Sequence, residues 1–572
     1  MRYWCSFLVV SLYSMSASAA VWIAVRHVDI DSPAPAALQD GSTWATAFDT
    51  IQEGVDAASN AGGGEVWVAE GTYTSSGAFV VEMRENVHLY GGFVGNGTGG
   101  GETMRGQRDW TVHATALDGQ GARSCVLGAS NATLDGFTLK NGQGVAVPMT
   151  PFSRGGAVLS VGVSPTIANC LVVSNTAKSG GAVYCEDASG VITNCVFLAN
   201  SVMYNGAALS IGGAASPAVS HCIFTRNSSD FQGNAVSLAS PAPTALTNCV
   251  FVGNTGTGSH GGGALIIEYG SPVVANCLFA GNRAGAITSS DASPVIVNST
   301  FDRNVSDAGA GAIINSHLAT PTVTNCILWG STPAEIYNGA DSSTTVTYSD
   351  IEGGHAGEGN VTPFREPRFM FGPSGKSTGL VYETGKFKST LSVAGSGFAP
   401  DALVGSILWV AGATGDTAHV VCGNAAESIA VWGDVTEGGS VVSPVDFAVI
   451  DYRLAPDSPC LDTGRDTSAT EFGSVTADIL GAPRGSDGAG DGPTGPPAPG
   501  DGSDYDMGAY EMPQAFAPAD VDHSGDVDAV DIQLVINQAL DIATGYDCDI
   551  DNSGAVDAVD VQLVINGALH IA

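Results

Sequence analysis

GGAVLSVGVSPTIANCLVVSN, residues 155–175, decides the fold, because its two halves return in order along the middle of the chain. The first half, Gly-Gly-Ala-apolar or a near variant, stands at 155–158 (GGAV), 180–183 (GGAV), 206–209 (GAAL), 233–236 (GNAV), 262–265 (GGAL), 284–287 (AGAI) and 310–313 (AGAI), at spacings of 22 to 29 residues. The second half follows each copy as ANCLVVSN, TNCVFLAN, SHCIFTRN, TNCVFVGN, ANCLFAGN, VNSTFDRN and TNCILWGS, an Asn-Cys strand that often ends in Phe-x-x-Asn. A period of this length marks a solenoid. The repeats keep no 3.6-residue apolar period. Short apolar strands separated by Gly, Asn, Ser and Pro instead predict a parallel β-helix with two or three strands per coil. One coil cannot bury its inner face alone. Stacking at about 4.8 Å per coil pairs each backbone with its neighbours and builds a continuous core.

The repeats align into columns. Cys170, Cys195, Cys222, Cys249, Cys277 and Cys326 share one, with Ser299 in the gap. Free Cys behaves as a small hydrophobe, so an inward thiol ladder is expected. Coil spacing also lies within disulfide reach. No His column accompanies the thiols, which argues against a metal site. Asn169, Asn194, Asn248, Asn276, Asn298 and Asn325 precede them and predict an amide ladder at a turn, since Asn tolerates the left-handed conformation. His221 interrupts that column as a structural residue.

Outward from the repeats, Phe48, Ile51, Val55 and Ala58 fall on one face of a short helix, a cap for the open N-terminal end of the solenoid. The first coil is expected at Glu65–Tyr73. Residues 20–374 then form cap and β-helix, and 449–511 the C-terminal part of the β-helix region. Residues 375–448 break the period and read as a small inserted β module. Its Trp409 and Trp432 form either a sugar-stacking surface or a small core. Residues 484–504 are Gly/Pro-rich, a surface loop, and 512–518 a linker.

The first residues, MRYWCSFLVVSLYSMSASAA, carry a basic Arg2, a short apolar stretch and Ala17-Ser18-Ala19. This predicts a secretory signal peptide over 1–19 and an exported protein without a membrane span. Net charge is −37 with only 20 Lys plus Arg, which disfavours nucleic acid and anionic membrane surfaces as partners. Twelve cysteines, one of them Cys5 in the leader, leave an odd number, so a monomer cannot pair them all. Nothing in the sequence asks for a monomer to associate except through its tail.

The alternation of GGA-apolar with FxxN resembles polymorphic outer-membrane protein repeats and, more broadly, the pectin-lyase-like right-handed β-helix. The flanks DGSTWATAFDTIQEGVDAA, EVWVAEGTYT and LYGGFVG, then DYRLAPDSPCLDTG, DILGAPR and YDMGAYE, resemble those of secreted bacterial β-helix proteins. The resemblance spans roughly 30–510 and is specific for fold rather than function. It implies a role in binding or degrading extracellular polysaccharide, as a glycoside hydrolase or polysaccharide lyase. The alternative is a non-catalytic surface or matrix scaffold.

Hydrolases of this kind need paired carboxylates, and lyases need a base with calcium-holding acids. After the Gly-Gly-Ala strand, one column holds Glu186 and Glu268, and the next holds Asp187, Asp291 and His317. Glu186, Asp187, Glu268 and Asp291 are therefore the candidate catalytic acids, interrupted by small residues that equally suit a solvated loop. Arg105, Arg108 and Asp109 read as an ion pair near the N-terminal coil. No pectate lyase or polygalacturonase sequence pattern is present.

The last fifty residues carry a second motif twice. Asp520, Asp522, Ser524, Asp528 and Asp531, with Gly525 and the Asp526 carbonyl, fill positions 1, 3, 5, 9, 12, 6 and 7 of a twelve-residue loop. Asp549, Asp551, Ser553, Asp557 and Asp560, with Gly554 and the Ala555 carbonyl, repeat it. This is the oxygen spacing of a Ca²⁺ loop, with Gly for the sharp turn. Clustered carboxylates repel one another without the cation, so calcium is expected to fold this tail. Asp at position 12 and one following helix per loop resemble a type I dockerin over 519–572. That resemblance implies a cohesin-like partner, met at Ala529-Val530 and Ala558-Val559 and along Ile536-Asn537 and Ile565-Asn566. Family members often carry Ser-Thr or a basic residue there. The identical pairs in both copies would permit two docking orientations.

Overall fold

The computed structural model describes residues 24–455 apart from 97–100, 147–151, 231–234, 257–261, 413–415 and 437–442, then parts of 458–510, residues 532–536 and residue 561. The expected signal peptide, the candidate calcium ligands and the candidate docking residues other than Ile536 lie outside the described residues. Residues 532–536, after the first Asp-rich loop sequence, are helical, with Ile536 half-buried.

Three long parallel sheets run the length of the molecule, with twelve, eleven and ten strands among the described residues. A typical coil contributes Val183–Glu186 to the third sheet, Val191–Thr193 to the first, Val196–Leu198 to the second and Ser201–Val202 to a short four-stranded sheet. Each strand pairs in register with its counterpart one coil on, as Val183 with Leu209 and Phe197 with Phe224. The ladder starts earlier than the sequence suggests. Val25–Val28 already pairs in parallel with Gly64–Ala69, so Glu65–Tyr73 is not the first rung. The helix Ile51–Asn60, N-capped by Thr50, buries Ile51, Val55 and Ala58 in the solenoid core.

The repeat motifs each close a corner. Gly155, Gly180 and Gly206 open the Gly-Gly-Ala turns at φ of +60°, +59° and +68°, and a Cβ on the following Gly156 or Gly181 would lie 2.5 Å from a carbonyl oxygen of a neighbouring coil. The Asn column turns the first sheet into the second, with φ between 48° and 55° from Asn169 to Asn325 and 52° at His221. The ladder is real. Asn276 Nδ2 donates to Asn248 Oδ1 at 2.9 Å, and Asn248 Nδ2 donates to His221 Nε2 at 2.9 Å.

Inside, Phe197, Phe224, Phe251, Phe279 and Phe301 stack with ring centroids 4.6 to 4.9 Å apart. The Asn that ends Phe-x-x-Asn points inward and is fully buried at 200, 227, 254, 282 and 304. Asn254 shows the scheme: its Nδ2 donates to Asn282 Oδ1 and to the Phe224 carbonyl, both at 2.9 Å, while its Oδ1 accepts from Asn227 Nδ2 and N. Nothing polar is left unpaired, so this column can sit in an apolar core. The thiol column is buried too, and all ten described cysteines are free.

An antiparallel seven-stranded sheet follows, from Phe369–Lys376 to Asp446–Leu454. It is wider at both ends than 375–448, because its first and last strands pair with each other. One face encloses Leu391, Leu408, Val421, Ile429, Val431 and Phe447. The other packs Ile407, Trp409, Ala418, Val420, Ile450 and Tyr452 against Val252, Leu278, Ala280 and Ile327 on the outside of the second sheet. The described parts of 458–510 add no strand to a solenoid sheet. They run along the Asn corner instead, where Asn325 meets Gly464 and Arg465, Asn298 meets Thr467, and Asn276 meets Arg484.

Candidate functional site

The candidate acids sit on the third sheet where the alignment places them. Glu186 pairs in register with Gly212, Gly212 with Ala239, and Glu268 follows next in that column. Three coil steps of about 4.8 Å separate the two glutamates by about 14 Å. Paired glycosidase carboxylates stand roughly 5 to 9.5 Å apart, so these two cannot work on one bond. Glu186 is also committed: its carboxylate accepts from Arg154 Nη1 at 2.9 Å and from the Tyr184 hydroxyl at 2.8 Å, and Arg154 stacks over the Tyr184 ring.

Asp187, Asp291 and His317 occupy the next corner in the left-handed region, with φ of 52°, 51° and 49°. Asp187 accepts from Ala214 N at 2.8 Å, a bond to the next coil. His317 Nδ1 lies 3.3 Å from Ser290 Oγ. Glu268 is half-buried, and burial alone raises its pKa, with no charged group contributing. It is a carboxyl that burial disposes to hold its proton more readily than usual. Among the described residues no three Asp, Glu, His or Cys side chains converge as a metal site.

The other sequence-derived residues resolve into structural roles. Arg105 pairs with Glu65 at 2.7 Å and Arg108 with Asp135 at 2.8 Å, rather than with Asp109, which closes its own turn through Thr111. The two guanidiniums stack on Tyr90, and Arg108 also on Trp110. Trp409 is 6% exposed and belongs to the junction core, with the Arg303 guanidinium over its ring at 4.9 Å. Trp432 is half-buried under Lys388. They make no exposed sugar-stacking surface. Burial pushes the Cys326 thiol up to about 12.

Sequence reasoning missed the junction between solenoid and module. The residue before each inward Asn from 175 to 304 is left-handed, at Ser174, Ala199, Arg226, Gly253, Gly281 and Arg303, as is Gly330 before Ser331. Side-chain variety hides the column, and only the recurring Asn after it could have revealed it. At Gly253 and Gly281 the module comes so close that a Cβ would meet Ala418 O at 2.9 Å and Ala418 Cβ at 2.8 Å. Beside this contact lies a pocket of about 180 Å³. Arg226, Thr255 and Arg283 line it from the solenoid and Thr417 and Ala418 from the module, over Gly253 and Gly281. Arg283 Nη2 donates to the Asp416 carbonyl at 3.2 Å, and Arg226 Nη1 lies 3.5 Å from His419 Nδ1. Burial, aided by Arg226, pushes His419 down to about 3, so it stays neutral there.

Deeper in the junction, Tyr452 donates its hydroxyl to Asp302 Oδ2 at 2.5 Å. Burial lifts Asp302 to about 6, against the pull of Arg303. Burial likewise lifts Glu335 to about 7 and Asp350 to about 6. Glu335 Oε1 accepts from Ser331 N, while its Oε2 is buried without a partner. Asp302 is enclosed at the junction, and Glu335 and Asp350 are buried in the solenoid rather than displayed to a substrate.

Residues 200–351 match the family model described as a right-handed beta helix region, which gives the solenoid its hand. Residues 38–239 match a model for a protein of unknown function, DUF1565. No curated protein sequence matches the chain. Among solved structures, the tailspike gp49 of Acinetobacter baumannii bacteriophage Fri1, a capsular polysaccharide depolymerase, aligns over 71% of this chain and 83% of its own at 14% identity (TM-score 0.34). Pectate lyase Pel9A aligns over 60% of this chain and 82% of its own at 12% identity (TM-score 0.34). The A-module of Azotobacter vinelandii mannuronan C-5 epimerase AlgE6 aligns over 54% and 88% at 16% identity (TM-score 0.26). The chain is thus a right-handed parallel β-helix with an antiparallel module on its second sheet. Among the described residues no helix is long and apolar enough to cross a membrane.

Proposed function

We propose that this is an exported polysaccharide-binding solenoid, carried to its place of work by a calcium-folded C-terminal docking domain. The observation that carries the reading is the duplicated loop, Asp520 to Asp531 and Asp549 to Asp560, on the same chain as a rigid β-helix. Five oxygen side chains and one carbonyl per loop suit a hard cation, and the docking partner is a cohesin-like domain meeting Ala529-Val530, Ala558-Val559, Ile536-Asn537 and Ile565-Asn566. The signal-like leader supports an extracellular or cell-surface location. Binding is favoured over cleavage because Glu186 and Glu268 are about 14 Å apart and Glu268 has no charged neighbour shifting it.

Two measurements test this. Calorimetric titration of the full chain should show two Ca²⁺ bound, with a chelator-reversible gain of helical circular dichroism that Asp520→Ala with Asp549→Ala abolishes. A chain that binds no calcium would sink the docking domain. In affinity electrophoresis against a polysaccharide panel, retention on at least one glycan is expected, without release of reducing or unsaturated ends. Retention on none would remove the polysaccharide reading, and product release sensitive to Glu268→Gln would replace binding by catalysis.

A further inference from the structure

We infer that the junction pocket holds the anionic substituent, a carboxylate or a sulfate ester, of a glycan chain lying across the seam between solenoid and module. The inference rests on the polysaccharide reading above and deepens it to an acidic glycan.

The first argument is the distribution of charge. The chain has 20 Lys plus Arg against 57 Asp plus Glu, yet Arg226 and Arg283 both line this one pocket. Guanidinium is the side chain suited to planar, two-point recognition of carboxylate and sulfate-like oxyanions. Arg283 is half-buried at the pocket wall, and among the described residues its guanidinium makes one hydrogen bond, Nη2 to the Asp416 carbonyl, which orients its five-donor fork.

The second argument is the backbone beneath. Arg226 stands at a left-handed corner, φ 56°, where the next two coils carry Gly253 and Gly281. Glycine suits this corner best because it carries no Cβ, and Arg226 keeps its long side chain there beside two coils that have none. The two glycines clear the floor of the pocket, while the hydroxyls of Thr255 and Thr417 line its sides for sugar hydroxyl groups. A volume of about 180 Å³ equals roughly six waters at about 30 Å³ each, enough for one sugar unit with its acidic group.

The third argument is electrostatic range. Net charge of −37 repels a polyanion at long distance. At physiological salt that repulsion is screened beyond about 8 Å, whereas contacts inside the pocket act at hydrogen-bond distance. The acidic groups near the pocket are Asp416, whose carbonyl holds Arg283, and Asp434, which with Arg226 acts on Tyr382. His419 contributes no charge, so the pocket's charge does not change across neutral pH.

The test is calorimetry at 0.15 M salt with three oligosaccharides of equal length: an oligouronate, a sulfated galactan fragment and a neutral glucan. The native chain is expected to bind one or both acidic probes at least tenfold more tightly than the neutral one, and the preferred probe tells carboxylate from sulfate. Arg283→Ala should weaken acidic binding about tenfold and Arg283→Glu further, with unchanged melting temperature, since Arg283 carries no core contact. Acidic and neutral probes bound alike, or Arg283→Ala binding like the native chain, would overturn the pocket and leave polysaccharide binding standing. No binding to any of the three by a chain also not retained on the polysaccharide panel would overturn both.

Discussion

The solenoid and the antiparallel module are both sheet, but they are held by opposite strategies. In the solenoid every stabilising contact is repeated: Phe251 stacks between Phe224 and Phe279, and Asn254 bonds between Asn227 and Asn282. In the module's junction each contact occurs once: Tyr452 on Asp302, Arg303 on Trp409, Ala418 over Gly253 and Gly281. Repetition makes the solenoid's stability a sum of near-identical terms between nearest neighbours. The junction depends on individual residues, and buried acids among them make it responsive to pH.

The largest effect should come from breaking the repeated core. Phe251→Ala removes a fully buried ring with stacked neighbours at 4.7 and 4.6 Å. A cost of about 3–5 kcal/mol is expected. Asn254→Ala should cost a similar amount, because it strands the Asn227 amide groups and the Phe224 carbonyl without water. Denaturant unfolding followed by far-ultraviolet circular dichroism reads both. A loss below about 1 kcal/mol in either would mean the columns are less tightly packed than drawn.

A smaller, pH-dependent effect belongs to the junction. Asp302 is lifted from the usual 3.8 to about 6 by burial, so the folded state holds its proton more tightly than the unfolded chain does. Its contribution is therefore fully present below about pH 4 and is lost as pH rises through about 6. Glu335, lifted to about 7, extends the loss toward neutrality. Unfolding followed by tryptophan fluorescence, to which Trp409 contributes as one of eight tryptophans, should show stability falling by on the order of 2 kcal/mol from pH 4 to pH 7.5. Asp302→Asn with Glu335→Gln should flatten that slope, and an unchanged slope in the double variant would show that other groups set it.

The same contrast explains what could be read from the sequence. Repetition is legible: seven Gly-Gly-Ala turns and seven Asn-Cys strands define the coil, the left-handed Asn corner through His221, and the buried thiol column with Ser299 in register. It also aligned Glu186 with Glu268 correctly. The shared column put both glutamates on one face, and counting repeats from 180 to 262 already sets them three coils apart. The inward turn of the Phe-x-x-Asn amide was missed, because a polar residue in a core is acceptable only when its partners are known. Singular contacts leave no periodic trace. Nothing near Gly253 announces that Ala418 will rest on it, and Arg226 and Arg283 become neighbours only once the coils are stacked.

The smallest effect should come from the thiol column, and it separates packing from redox chemistry. Cys249 Sγ lies 3.3 Å from the Thr247 carbonyl. At the same position two coils on, Ser299 Oγ donates to the Val297 carbonyl at 2.9 Å and accepts from Cys277 N at 3.1 Å. The column thus already shows how a hydroxyl is satisfied there, and Cys249→Ser should cost no more than about 1.5 kcal/mol, against the several expected for Phe251. The native melting temperature should not move with reductant, since the described thiols are unpaired. A thiol-labelling reagent should reach Cys422 in the module, half-buried, long before Cys170, Cys195, Cys222, Cys249, Cys277 or Cys326, which should react only on unfolding. Prompt labelling of the column in the folded chain would place the thiols outside the core and undo the inward register on which the coil geometry rests.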